Sequence, residues 1–279
     1  MNVQKVNYRN PNAASDFTKS LKHTGFSVIT NHPIEKSLID SIYEEWGNFF
    51  KNDKKFDYLF NKKNQDGYFP LGTENAKGTS IKDLKEFFHI YPWGRYPSEL
   101  SDATWVLHNK LLNLTSTLLG WIQKNTPENV KSHFSMPLPE MIIDSKTNLL
   151  RILHYPPLDG KEEKDAIRGA AHEDINLITV LVAGTQPGLQ VQDINGLWHD
   201  VSCDPGCLAV NTGDMLQEVS QGYFPSTTHQ IINPGNEIKN KSRYSMPLFL
   251  HPRNDVRLSK EYTAKQYLEK RLREIGLKE

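Results

Sequence analysis

Several features are scarce in this sequence, and each absence removes a class of protein. Its 279 residues include two cysteines, Cys203 and Cys207, so a disulfide framework is excluded as the main source of stability. Their C-x3-C spacing is loose for zinc, and the sequence offers no second pair to complete four ligands. We interpret both as small strand or turn residues and expect Cys207 to be buried.

An excess of charge is also missing, because 33 Lys and Arg residues balance 33 Asp and Glu residues. This balance gives no electrostatic reason to expect a nucleic acid or an anionic membrane as a partner. No apolar run approaches the length of a membrane span, and the N-terminal residues lack the apolar core of a secretion signal. These absences predict a globular protein located in the cytoplasm.

The pattern of apolar residues divides the chain into three parts and shows no internal repeat. Residues 1–147 have helical spacing around a predicted strand at 25–30, and Pro33 is expected to open a helix. Residues 148–252 change to short apolar runs separated by turn residues, and residues 253–279 follow as a C-terminal part.

The central part predicts a β structure. Its apolar runs lie at 148–155, 175–183, 188–193, 197–201, 207–211, 229–233 and 243–250. Asn195-Gly196 between two of these runs is a strong signal for a hairpin. Many short strands at regular spacing are typical of a sandwich or barrel, so we expect a mainly β fold with flanking helices.

The C-terminal part, residues 253–279, predicts one helix. Thr263 and Gln266 have the spacing of a capping box, and Gly276 is placed to end the helix. Its apolar face is made by Leu268, Leu272 and Ile275.

The sequence feature that points most directly to chemistry is His172-Glu173-Asp174, ahead of the apolar run at 175–183. Side chains two apart on a strand share a face, so we expect His172 and Asp174 to bind one metal while Glu173 points away. Two imidazoles and one carboxylate on one face suit iron(II) and leave positions open for oxygen chemistry. A lone H-x-D pattern is common, so the hypothesis needs a third ligand from another strand.

Three downstream histidines could supply that ligand: His199, His229 and His251. His199 follows a hairpin turn and is expected near a sheet edge, and His251 precedes a proline at the end of a strand. His229 begins a predicted strand, and enough strands separate it from Asp174 to wrap a barrel back beside the first. We therefore predict His229 as the third ligand.

A second polar pair follows on the run at 243–250. Arg243 and Ser245 are two apart and share a strand face. If this run pairs with 229–233 as a hairpin, that face continues the metal face. Arginine binds a carboxylate through two parallel hydrogen bonds, and a serine hydroxyl can add a third, so the pair predicts a carboxylate site.

These motifs together resemble the 2-oxoglutarate-dependent iron(II) dioxygenases of the isopenicillin N synthase-like branch. The family pattern is H-x-D, a distant His and R-x-S, matched here by His172-Glu173-Asp174, His229 and Arg243-Tyr244-Ser245. Further similar segments are Gly188-Leu189-Gln190-Val191, Asn211-Thr212-Gly213-Asp214, and Gly25-Phe26 with Asn31-His32. The resemblance covers most of residues 15–275.

The resemblance implies a fold and a metal. The fold is a distorted double-stranded β-helix, a cupin-like jelly-roll barrel with helices behind one sheet and the metal at its mouth. The metal is Fe(II), with His172, Asp174 and His229 as ligands and catalytic residues. The core at 148–252 would carry this centre, residues 1–147 would form the helical, substrate-side region, and 253–279 the last helix.

It also implies the co-substrates and the reaction. Arg243 and Ser245 hold the distal carboxylate of 2-oxoglutarate in the family, and a Tyr before two prolines, here Tyr155, supports the same end. Dioxygen is the second co-substrate. The implied activity is oxidation of a small-molecule substrate, by hydroxylation, desaturation or cyclisation, with release of succinate and CO2.

One departure keeps an alternative open. Many plant members have Asn two positions before the Tyr, where this sequence has Leu153, so one usual hydrogen bond to 2-oxoglutarate is missing. Isopenicillin N synthase has the same iron ligands and an R-x-S but uses O2 without 2-oxoglutarate. Two further alternatives are a ligand-binding barrel without activity and a zinc hydrolase, whose nearest candidate base, Glu173, points away from the metal.

The substrate itself is not predicted by the sequence, and neither is the oligomeric state. The expected specificity elements are the loop 64–80, the stretch 86–97 and the C-terminal region. Candidate contacts are Tyr68, Phe69, His89 and Arg95, and Arg95 could meet a substrate carboxylate or be an ordinary surface arginine.

Overall fold

The computed structural model of the protein describes residues 1–61, 63–75, 80–235 and 240–274. The strands in this part of the chain are β1 Lys5–Asn7, β2 Phe26–Thr30, β3 Gly67–Phe69, β4 Glu86–Ile90, β5 Leu149–Tyr155, β6 Gly169–His172, β7 Ile178–Val182, β8 Leu189–Gln192, β9 Trp198–Asp200, β10 Leu208–Thr212, β11 His229–Ile231 and β12 Arg243–Leu250. The helices are α1 Ala13–Thr24, α2 Lys36–Lys51, α3 Ala103–Asn125, α4 Glu128–Lys131, α5 Leu138–Met141, α6 Asp214–Val219 and α7 Ala264–Glu274, with a 3₁₀ helix at Asp53–Tyr58.

The strands form two sheets of unequal size. The large sheet has the order β1-β2-β10-β7-β12-β5-β4-β3, and the small sheet has the order β6-β11-β8-β9. All neighbouring pairs are antiparallel except β1 with β2. β8 and β9 are joined through Asn195-Gly196, as the sequence predicts, and Gly196 has a φ of 81° that its missing Cβ allows.

The small sheet covers one face of the large sheet. Alternate residues of the large sheet point to this side, and they share one buried cluster with residues of the small sheet: Phe26, Val28, Phe69, Phe87, Leu153, Tyr155, Ala209, Leu189, Val191 and Ile231. The opposite face of the large sheet packs against α1, α2 and α3 in a second, larger cluster. Two facing sheets backed by helices on one side make the distorted jelly-roll barrel that was predicted.

Gly25 ends a helix as the sequence predicts, but Pro33 does not begin one. α1 ends at Gly25, whose φ of 68° places it in the left-handed region and whose N–H donates to the Leu21 carbonyl. Pro33, however, does not open α2, which begins at Lys36. The preceding turn is held by His32, whose Nδ1 accepts from the Ile34 N–H and whose Nε2 donates to the Gly206 carbonyl.

The C-terminal helix α7 has the predicted capping box. The Gln266 side chain accepts from the Thr263 N–H at 2.9 Å, and the Thr263 hydroxyl accepts from the Gln266 N–H at 3.4 Å. Ile275 and Gly276, also part of that prediction, lie outside the described residues.

Two other predictions have a definite outcome in the described ranges. Cys203 and Cys207 both carry free thiols and are half-buried, so the expectation of a buried Cys207 is wrong; the two flank a turn at the surface. None of the helices found there is long and apolar enough to cross a membrane.

Candidate metal centre

His172 and Asp174 reach the same site from different structural elements. His172 is the last residue of β6 in the small sheet, and Asp174 lies in the segment 173–177, where the chain crosses to β7 in the large sheet. The prediction that both residues share one strand face is therefore wrong. The sequence pattern concealed this crossing because the apolar run at 175–183 begins three residues before the strand does.

The crossing segment is anchored to the start of α6. The N–H groups of Gly213, Asp214 and Met215 donate to the carbonyls of Leu177, Asp174 and Asn176. A Cβ on Gly213 would lie 2.3 Å from the carbonyl oxygen of Asn176, so only glycine permits this approach. This contact explains the glycine in the Asn211-Thr212-Gly213-Asp214 segment.

The third predicted ligand completes a cluster. His229 begins β11, which pairs with β6 so that His229 lies opposite His172. The carboxylate oxygen Oδ1 of Asp174 is 3.7 Å from Nε2 of His172 and 3.8 Å from Nε2 of His229. One potential ligand atom from each of the three residues lies within 4.8 Å of the others, which is close enough to share one metal ion.

The hydrogen bonds of both imidazoles leave the correct nitrogen free. Nδ1 of His172 donates to the Ala170 carbonyl at 2.8 Å, and Nδ1 of His229 donates to the Thr227 carbonyl at 3.1 Å. A proton held on Nδ1 leaves the lone pair of Nε2 available to a metal. Both Nε2 atoms face Oδ1 of Asp174, so the two rings are pre-oriented as ligands.

The Asp174 carboxylate is held by two side chains of the large sheet. Its Oδ2 accepts from the Thr179 hydroxyl at 2.5 Å and from the Asn211 amide at 2.7 Å, which leaves Oδ1 for the metal. Burial alone would raise the pKa of Asp174, but the neighbouring histidines and these hydrogen bonds outweigh it and lower the pKa. The carboxylate is thus ionised and ready to bind a cation.

The three predicted ligands differ in exposure. The side chains of Asp174 and His229 are 4% and 10% exposed, whereas that of His172 is 42% exposed. The open side of the cluster is therefore beside His172. Two imidazoles and one carboxylate with an open side match the donor set of non-haem iron(II) enzymes.

The two other candidate histidines lie outside the cluster. His199 is on β9, the edge strand of the small sheet as expected, and its Nε2 is 2.8 Å from Asp193. His251 follows β12 and is buried, and this burial lowers its pKa to about 4. Neither belongs to the metal-ligand group found among the described residues.

Arg243 and Ser245 lie on the wall opposite the histidines. β12 pairs with β5 and β7 in the large sheet, whereas β11 belongs to the small sheet, so the predicted hairpin between them is wrong. Arg243 is opposite Tyr155 in the register and Ser245 is opposite Leu153. Because Tyr155 and Leu153 belong to the buried cluster between the sheets, all four side chains face the barrel interior.

The Arg243 guanidinium is fixed inside the barrel. Its Nε donates to the Gln186 carbonyl at 3.0 Å, its Nη1 donates to the Ser245 hydroxyl at 3.2 Å, and it lies 5.0 Å above the ring of Tyr155. A Cβ on Gly184 would be 2.7 Å from Nη2, so this glycine makes room for the guanidinium. Arg243 is 2% exposed and has no carboxylate partner among the described residues.

The predicted substrate contacts have other partners. Arg95 pairs with Asp66 at 3.0 Å and donates to the Leu59 carbonyl, so its charge is already neutralised. The Tyr68 hydroxyl donates to Glu86, and Tyr68 belongs to the cluster on the helix side of the large sheet. These contacts hold the side chains of Arg95 and Tyr68 away from the barrel interior.

His89 and Phe69 do face the barrel interior. Nδ1 of His89 donates to the Gln65 carbonyl at 3.0 Å, and its Nε2 accepts from Nε of Arg151 at 2.9 Å. Burial and the charge of Arg151 hold the pKa of His89 well below its usual range, so the ring is neutral. Phe69 stacks on Phe87 at 4.3 Å and is part of the interior cluster.

Several residues of the site escaped the sequence analysis. Thr179 lies in an apolar run, and the sequence gives no sign that its hydroxyl has a role beyond strand formation. Asn211 belongs to a segment that was recognised without assigning it a contact. Glu173 was expected only to point away from the metal, and it accepts a hydrogen bond from the Thr228 hydroxyl.

Comparison with known proteins agrees with this geometry. Residues 146–252 match the 2OG-Fe(II) oxygenase superfamily, and residues 4–108 match the N-terminal region of the non-haem dioxygenase in morphine synthesis. Gibberellin 2-beta-dioxygenase 4 of Arabidopsis thaliana is 30% identical over 250 residues, with 84% of this chain and 74% of the relative covered.

Two crystal structures extend the similarity over nearly the whole chain. A Shewanella oneidensis protein assigned as an oxygenase is 51% identical, with a TM-score of 0.90 and 99% of each chain covered. A Caulobacter crescentus protein assigned to the 2OG-Fe(II) oxygenase family is 29% identical, with a TM-score of 0.81 and coverage of 98% and 99%. These relatives do not favour the isopenicillin N synthase-like alternative without 2-oxoglutarate. The chain belongs to the 2OG-Fe(II) oxygenase superfamily and is a non-haem iron(II)- and 2-oxoglutarate-dependent dioxygenase.

Proposed function

We propose that His172, Asp174 and His229 hold the iron(II) of this dioxygenase. The proposal is supported by one observation above all: two Nε2 atoms converge on a single carboxylate oxygen, and each ligand residue is oriented by a further hydrogen bond. Such outer contacts fix the tautomer of a histidine ligand and the direction of a carboxylate. The side of the cluster beside His172 is left for the co-substrates.

The distal carboxylate of 2-oxoglutarate binds to Arg243 and Ser245, with Tyr155 beside them. A buried guanidinium without an acidic partner is unfavourable unless an anion reaches it. Arg243 still has Nη2 hydrogens to donate, and its Nε and Nη1 are held by Gln186 and Ser245. The opposite end of a five-carbon dicarboxylate then points across the barrel towards the small sheet and its histidines.

When bound, iron(II) supplies activation of dioxygen coupled to decarboxylation of 2-oxoglutarate, which yields succinate, CO2 and an oxidised substrate. The residues of this chain position the co-substrate and keep water out of the barrel interior. Arg243 and Ser245 set the orientation of the co-substrate, and the apolar cluster around Phe87, Leu153 and Val191 excludes water from the barrel interior.

The substrate is a small organic molecule that is hydroxylated at the open side of the metal centre. Residues 148–252 carry the iron and the co-substrate, residues 1–147 form the substrate side, and 253–279 add the last helix. Relatives are named for gibberellin and flavonol or flavanone oxidation, so a compact, largely carbocyclic acid or phenol is the first class to test.

An anaerobic titration tests the proposal. Adding 2-oxoglutarate to the iron(II) protein should produce the weak visible absorption of a complex in which the 2-oxo acid chelates the metal. The His229→Ala variant should give no band, and the control His199→Ala should give the wild-type band. If millimolar 2-oxoglutarate produces no band with the wild-type iron protein, the proposed site is wrong.

A further inference from the structure

A second arginine, Arg168, is buried beside the edge strand of the small sheet. It directly precedes β6, and its neighbour Gly169 pairs with Ile231 of the interior cluster. Its side chain is 1% exposed, which makes it one of the largest fully buried side chains, together with Arg243. A charged side chain this deeply buried normally has an acidic partner.

Arg168 has no such partner among the residues that the structure describes. Its Nη2 donates to the Lys241 carbonyl at 2.8 Å, and its backbone N–H donates to the Asn233 side chain at 3.1 Å. Its Nε is buried and has no hydrogen-bond partner in the part of the chain that the structure describes. The guanidinium therefore has an unused donor in a place that water does not reach.

The Arg168 guanidinium lies near the start of β12, the strand that carries Arg243. Lys241, which receives the Nη2 hydrogen bond, is two residues before Arg243 at the start of β12. Arg243 and Tyr155 are also the groups whose charges act on Arg168: after burial, the positive charge of Arg243 lowers the pKa of Arg168, and Tyr155 raises it. Arg168 lies directly before the edge strand of the small sheet and Arg243 lies on β12 of the large sheet, and the two are close enough for the charge of Arg243 to act on Arg168.

We propose that Arg168 is a second guanidinium of the 2-oxoglutarate pocket, a positioning residue that donates its free Nε–H to the distal carboxylate held by Arg243. This inference rests on the proposed function of Arg243. A carboxylate has room for about four hydrogen bonds, and Arg243 and Ser245 use only part of that capacity. The negative charge of the carboxylate also relieves the repulsion between the two buried cations. Arg168 thereby adds to the preference of this pocket for a 2-oxo acid that carries a second carboxylate.

The test compares two 2-oxo acids on the anaerobic iron(II) protein. 2-Oxoglutarate has the distal carboxylate, whereas pyruvate has the same metal-binding end and lacks it. Dissociation constants are measured by calorimetry and by the visible band for wild type, Arg168→Gln, Arg168→Lys and an exposed control, Arg9→Gln. We expect Arg168→Gln to weaken 2-oxoglutarate binding about ten- to a hundredfold and to leave pyruvate binding unchanged. Arg168→Lys should recover part of the preference, and Arg9→Gln should match wild type.

Other outcomes have definite meanings. Equal weakening of both acids, or a lower melting temperature with an unchanged preference for 2-oxoglutarate, would show that Arg168 only supports the fold and would overturn the inference. If Arg168→Gln does not fold, the same comparison with Arg168→Lys decides, and an unchanged preference in that variant counts against the proposal. Loss of preference in Arg243→Ala without any loss in the Arg168 variants would refute the role of Arg168 alone, whereas no effect of Arg243→Ala would refute the proposed co-substrate site.

Discussion

The Thr179 hydroxyl donates to Oδ2 of Asp174 at 2.5 Å, and this contact turns Oδ1 towards the two histidines. Thr179 is itself held by the Asn176 side-chain amide at 2.9 Å. The carboxylate of a loop residue is thereby oriented by a strand of the large sheet. These hydrogen bonds restrict the conformation of the Asp174 side chain, although Asp174 lies outside any strand or helix.

We therefore expect Thr179→Val to lower the affinity for iron(II) about ten- to a hundredfold, as loss of outer contacts does at other metal sites. The substitution keeps the shape of the side chain and removes only the hydroxyl. The matched control is Thr228→Val, which removes a hydroxyl that binds Glu173 instead of a ligand. Competition with a coloured chelator measures the affinity, and equal values for Thr179→Val and wild type would contradict the assigned role.

Removal of a ligand should have a larger effect than removal of its support. We expect His172→Ala, Asp174→Ala and His229→Ala each to abolish activity and most iron binding while the circular dichroism spectrum stays that of the wild type. His199→Ala should retain both metal and activity, because His199 pairs with Asp193 at the sheet edge. Iron content after gel filtration is the measurement. Loss of metal in His199→Ala with retention in His229→Ala would refute the choice of third ligand.

Arg243→Ala should raise the apparent KM for 2-oxoglutarate about ten- to a hundredfold, because a charge-assisted contact contributes roughly 1.5–3 kcal/mol. Arg243→Lys should recover only part, since lysine lacks the planar fork. Succinate production at varied 2-oxoglutarate measures both variants. An unchanged KM in Arg243→Ala would contradict the assignment.

Gly184→Ala should have a weaker form of the effect expected for Arg243→Ala, because it displaces the Arg243 guanidinium. The added methyl group would lie 2.7 Å from Nη2 and 2.8 Å from Cζ of a guanidinium that Gln186 and Ser245 hold in place. We expect a raised KM for 2-oxoglutarate and unchanged iron affinity, since the three atoms nearest to the added methyl group all belong to Arg243. Gly120→Ala is the control, because a Cβ there meets nothing within 4 Å. Reduced iron binding in Gly184→Ala would indicate a wider disturbance.

A partly buried ion network predicts a dependence of stability on pH. Glu74 contacts Lys85 at 2.6 Å and Arg151 at 3.3 Å. Burial alone would raise the pKa of Glu74, but the charges of Arg151 and Lys85 outweigh it and hold the pKa far below its usual range. A carboxyl whose pKa is lowered by folding stabilises the protein above its unfolded pKa of about 4.3, and this contribution is lost as the pH falls towards the folded pKa.

Glu74→Gln should consequently lower the free energy of unfolding at pH 7 by up to about 3–5 kcal/mol, with the loss reduced because Lys85 keeps its contact with Asp83. The difference between variant and wild type should shrink below about pH 4. Urea unfolding at several pH values measures it. A difference that is the same at pH 3 and pH 7 would show that the charge of Glu74 does not contribute.

The amino-acid sequence by itself determined the strand-rich core, the α7 capping box, the β8–β9 hairpin and the identity of His172, Asp174 and His229 as residues that meet. The strands and the capping box depend on local periodicity and turn residues. The metal cluster was found from the H-x-D and distant His motif, which can be recognised without knowing how the strands pair. Only the tertiary structure decided that Asp174 lies in a crossing segment, that β11 and β12 belong to facing sheets and that Arg168 is buried. Periodicity shows which side chains of one strand share a face, but it carries no information on which strands pair. The pairing is set by contacts between residues far apart in the chain, and these contacts place Arg243 on the sheet that faces His172 and His229.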